Sequence, residues 1–79
     1  MNVDKLKHEL IKLQNELEYF QGRKGKVIMF QLEHEYITQD MAEELDICEN
    51  YIQSIMLTID KLSEKLRQKM RRNKNEEEA

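Results

Sequence analysis

The sequence predicts an all-α protein: an antiparallel helical hairpin or small three-helix bundle with coiled-coil-like seams, expected to self-associate. Three observations carry that expectation. Apolar residues recur at intervals of three and four along two long stretches, the spacing of one helix face. Proline is absent and charged residues make up 37% of the chain, which with leucine- and isoleucine-rich stripes marks long helices. Both glycines lie within residues 22–26, between the two stretches.

The first stretch is expected to be helical over residues 3–21. Val3, Leu6, Leu10, Leu13, Leu17 and Phe20 recur at intervals of 3, 4, 3, 4 and 3 and form one apolar stripe. Lys5–Glu9 and Lys12–Glu16 sit four apart, worth about 0.2–0.5 kcal/mol per pair. Asn2 suits the N-cap. Gly22 or Gly25 suits the left-handed position past a helix end, and Arg23, Lys24 and Lys26 complement the negative end of the helix. Residues 22–26 therefore read as the link of a hairpin.

Beyond the link, Val27, Ile28, Met29 and Phe30 are apolar all round. No other segment offers a partner strand, so this turn reads as helical and in need of burial. Leu32, Tyr36 and Ile37 extend its apolar surface. A second seam follows at Met41, Leu45, Cys48, Ile52, Ile55, Ile59, Leu62 and Leu66, with intervals of 4 and 3 throughout. The segment 27–72 reads as one long helix or as a helix broken near Thr38 or Asp46. A helix over 3–21 is about 28 Å long, whereas an unbroken one over 26–72 is about 70 Å. That mismatch calls for a break near Thr38 or for a second chain along Ile52, Ile55, Ile59, Leu62 and Leu66. The absence of Gly and Pro after Gly25 favours the second chain. Residues 1–72 are thus expected to form one helical domain, and 73–79, which lack periodicity, a disordered tail.

Seventy-nine residues make one domain at most, and a chain this short buries only about 60% of its unfolded surface. Cys48 is alone, so no internal disulfide forms, and there is no Cys/His cluster for a structural metal. Oligomerisation or a partner is the remaining source of burial, as a homodimer or higher homo-oligomer. A lone cysteine fits a reducing compartment. No apolar run approaches the roughly 20 residues of a membrane span. Lys5 and Lys7 are not followed by the apolar region of a signal peptide, so a cytoplasmic location is expected. The net charge of −3 hides three blocks. Residues 1–26 hold six bases and four acids, 27–60 hold eight acids and neither Lys nor Arg, and 61–79 hold seven bases and four acids.

Three motifs bear on function. Residues 38–56 resemble the helix-turn-helix of bacterial and phage repressors. Ala42 stands at the close contact of the two helices, Leu45, Ile47, Ile52 and Ile55 at core positions, and Thr38 at the first cap. The resemblance implies a reading face at Glu49, Asn50, Tyr51, Gln53 and Ser54. The turn here holds Asp46 where the pattern has glycine, and a surface without Lys or Arg repels a duplex, so DNA is the disfavoured partner. Ala42-Glu43-Glu44-Leu45-Asp46 resembles the Ser-Gln-Glu-Leu-Asp signature of small helical-hairpin phosphatases acting on a response regulator, with three of five residues shared. A helix rich in Glu and Leu accounts for the same match. The basic stretch 65–72 reads as a helix C-terminus favoured by the dipole.

No other constellation carries chemistry. His8 and His34 stand alone, and Cys48 sits at a seam position like a small core residue. No catalytic, metal or cofactor residues are expected, and the chain is expected not to be an enzyme. The remaining signals point to protein recognition. Val27, Ile28, Met29 and Phe30 are candidate anchors, and Glu43, Glu44 and Tyr51 belong to an acidic face suited to another protein. The expected role is that of a small adaptor or inhibitor, of the size frequent among phage and mobile-element proteins. The alternatives are a helix-turn-helix regulator and a structural coiled-coil element.

Overall fold

The computed structural model describes the backbone of residues 2–78 and the side chains of residues 2–71. Two helices make the fold: α1, Val3–His34, and α2, Gln39–Glu78. They pack against each other as a helical hairpin. Asn2 caps α1 as its position suggests: its Oδ1 accepts from the Lys5 amide at 2.8 Å. Asp4 lies in the first turn, where it favours the positive helix end. Thr38 caps α2, its Oγ1 accepting from the Met41 amide at 3.2 Å.

The reversal is not at the glycines. α1 runs unbroken through residues 22–26, and neither glycine has a positive φ. The helix expected to stop at 21 continues to His34, and the link expected at 22–26 is replaced by a four-residue connection, 35–38. The physical reason lies in the apolar phase. Lys24 and Val27 fall four and seven residues after Phe20, so the stripe of α1 continues in register across both glycines. Val27 is buried, which contributes about 1.5–3 kcal/mol. Each helical glycine costs about 1 kcal/mol relative to alanine, less than a link there would lose. The left-handed residue that ends α1 is Glu35, with φ 60° and ψ 22°; its amide donates to the Gln31 carbonyl at 2.7 Å.

The longer α1 removes the length mismatch. At about 1.5 Å per residue, α1 spans about 48 Å and α2 about 60 Å. The rod measures 62 × 17 × 14 Å, which is two helices side by side. Residues 73–79, expected to form a disordered tail, have side chains outside the described residues. No described helix is long and apolar enough to cross a membrane.

The core is thin. Leu6, Leu17 and Val27 of α1 and Cys48 and Ile55 of α2 are buried. Around them Leu10, Leu13, Phe20, Leu45, Ile52, Ile59, Leu62 and Leu66 are only half-buried. Every member of the seam expected from Met41 to Leu66 is at least half-buried. With one chain to cover them, Ile52, Ile55, Ile59, Leu62 and Leu66 owe their burial to α1 of the same chain. Four of them, Ile52, Ile59, Leu62 and Leu66, remain only half-buried by that helix.

Candidate interaction surface

The middle of the rod is tied by polar and aromatic contacts that set the register of the two helices. Arg23 meets Glu44 twice, Nε donating at 2.6 Å and a terminal nitrogen lying 2.5 Å from the same oxygen. That hydrogen bond raises the Arg23 pKa, already far above neutrality. Lys24 reaches Glu49 at 3.5 Å. Phe20 stacks on Tyr51 with ring centres 4.7 Å apart. The Arg23 guanidinium also lies 5.6 Å from the Tyr19 ring centre, within cation–π range. Beneath these contacts, Cys48 is fully buried and its Sγ lies 3.6 Å from Glu44 Oε1. Burial first, then the Glu44 carboxylate, pushes the Cys48 thiol up from its ordinary pKa.

The loop end is different in kind. Phe30, His34 and Tyr36 cluster there, Phe30 lying 4.3 Å from His34 and 5.5 Å from Tyr36 between ring centres. Around this cluster Met29 (56% exposed), Leu32 (71%) and Tyr36 (57%) face solvent. Glu33, Glu35, Asp40 and Glu43 are exposed close by in the chain. The structure divides the four residues expected to act as one anchor. Val27 is buried, Phe30 is half-buried against His34 and Tyr36, and only Ile28 and Met29 are exposed. A helix turns about 100° per residue, so four consecutive side chains cannot share a face. Leu32, four residues after Ile28 and three after Met29, is the neighbour those residues have instead.

The acidic residues divide likewise. Glu43 is exposed, whereas Glu44 is half-buried on Arg23 and not free for a partner. Tyr51 is exposed at one edge with its face covered by Phe20. Further along α2, Gln53, Met56, Leu57 and Asp60 line a shallow open depression of about 320 Å³. Met56, which flanks the seam in the sequence, and Leu57 are exposed here.

The helix-turn-helix expectation is not met by the backbone. α2 is continuous over residues 39–78, and Asp46 is an interior helical position. Glu35 is the only non-glycine residue with positive φ among the described residues, so 38–56 contains no turn. Among the described residues no three His, Cys, Asp or Glu side chains come together as a metal site.

The chain matches no protein family, no curated protein and no solved structure. The surface itself is what remains to reason from. At the loop end it presents exposed apolar and acidic side chains.

Proposed function

We propose that this chain is a small protein-binding regulator, an adaptor or inhibitor, that works as a self-associated helical hairpin with coiled-coil-like packing and offers its loop end to a basic protein. One observation supports this above the rest: Met29, Leu32 and Tyr36 are exposed within residues 27–60, which carry eight acids and neither Lys nor Arg. Large apolar and aromatic side chains supply most of the energy of a protein interface. A ring of one charge steers the partner of opposite charge and rejects others. A cytoplasmic setting keeps Cys48 as a thiol.

The test is capture of a partner by the immobilised full chain, repeated with Met29→Lys, Leu32→Lys and the control Ile11→Lys. All three side chains are exposed, so the hairpin core is untouched. Lysine near the end of α1 also suits the helix dipole, which separates loss of binding from loss of helix. The reading expects a partner retained by Ile11→Lys and lost by both loop-end variants, with binding weakened by salt. Equal retention by all three, or no capture by the unaltered chain, overturns it.

A further inference from the structure

We infer that a second copy of this chain covers the half-buried side of the hairpin, antiparallel to the first, so that the loop half of each lies beside the open half of the other. This rests on the self-association in the reading above and specifies its face and direction.

The first argument is surface. The chain exposes 6467 Å², whereas a compact monomer of 9.6 kDa exposes about 5,100 Å². Its radius of gyration is 18.1 Å, against about 12 Å for a compact domain of this length. The excess is about 1,400 Å². A standard interface buries about 800 Å² per partner, so the excess suffices for one stable contact.

The second argument locates the contact. Cys48 and Ile55 are seven residues apart and form the buried column of α2. Leu45 and Ile52 lie about 60° and 40° round the helix from Cys48; they and Ile59 and Leu66, which follow at intervals of seven, are only half-buried. About 40° beyond them lie Met56 and Met70, each about half exposed. A helix packed on one neighbour needs two apolar columns. A helix inside a bundle needs a third, and Met56 and Met70, alternating with Glu49 and Ser63, supply part of one.

The third argument sets direction. The Phe20–Tyr51 stack divides the rod in two. The loop half, residues 18–54, holds eight acids and three bases; the open half, residues 2–17 and 55–71, holds eight bases and five acids. A parallel pair sets like against like. An antiparallel pair about a two-fold axis sets the net −5 half beside the net +3 half twice over.

Sedimentation of the full chain tests all three arguments. The expected result is a species of twice the 9.6 kDa chain mass whose dissociation constant rises with salt. Met56→Lys, at a side chain already 50% exposed, is expected to raise that constant at least tenfold while helical circular dichroism is kept. Met56→Gln, without added charge, moves it the same way by less, and the uncharged Met29→Gln at the loop end leaves it unchanged. A monomeric unaltered chain overturns self-association itself. A dimer equally tight with both Met56 variants overturns the face alone, and a dimer tightened by salt overturns the antiparallel direction.

Discussion

Replacing Gly22 and Gly25 together by alanine is expected to stabilise this protein by about 2 kcal/mol. The figure follows from three features of the hairpin. Both glycines lie inside α1, where alanine is favoured over glycine by about 0.8–1 kcal/mol per residue. Neither has a positive φ, so alanine takes up the backbone without strain. A Cβ added at either position meets nothing within 4 Å, so no packing term opposes the gain. In a domain of this size about 1 kcal/mol shifts Tm by about 4–8 °C, so the double variant should melt about 8–16 °C higher. The assay is thermal unfolding followed by helical circular dichroism at one fixed chain concentration, because association also shifts Tm. The converse geometry makes the opposite prediction. Were the chain reversed at residues 22–26, a glycine there would hold a left-handed conformation, and alanine would cost about 1–2 kcal/mol. A double variant that melts at or below the unaltered protein refutes the continuous α1.

The companion change is Glu35→Gly. Glu35 holds the left-handed position that ends α1, and glycine there is expected to add about 0.5–1 kcal/mol, read as a higher Tm. Cys48 is buried and its thiol pKa is raised, so it should react with thiol reagents only through opening of the hairpin. The folded chain then holds this proton more tightly than the unfolded one. Its contribution to stability is therefore complete below the ordinary thiol pKa and is lost as pH rises through the folded value; Cys48→Ala abolishes that pH dependence in urea unfolding. Duplex DNA should not bind in a fluorescence anisotropy titration at about 50 mM salt, since residues 38–56 contain no turn and no Lys or Arg; tight binding there would restore a DNA-reading role.

The candidate surface was legible only in part. The acidic run from 27 to 60 and the apolar cluster at its start are visible in the residues alone. Which members stay exposed is not, because it depends on where α2 lies. Val27 belongs to the core and Glu44 to Arg23 only once the two helices are set side by side. Leu32 and Tyr36 extend the apolar surface in the sequence, but that they stay exposed is decided by where the turn lies.

The sequence by itself determined that the chain is helical, where α1 begins, and which face of α2 turns inward. These are local matters: a cap at Asn2, a cap at Thr38 and an unbroken spacing of three and four from Met41 to Leu66. Only the tertiary structure decided where the chain turns. Two helical glycines and a left-handed glutamate are each unfavourable by about 1 kcal/mol, and local propensity therefore places the reversal at residues 22–26. Burial of Val27 and the ties from Arg23 and Lys24 to α2 act across the hairpin and place it at 35–38 instead. The stripe of α1 did carry that choice, in the phase that continues from Phe20 through Lys24 to Val27. A lysine at one step hides it, and packing on α2 gives that lysine its partner.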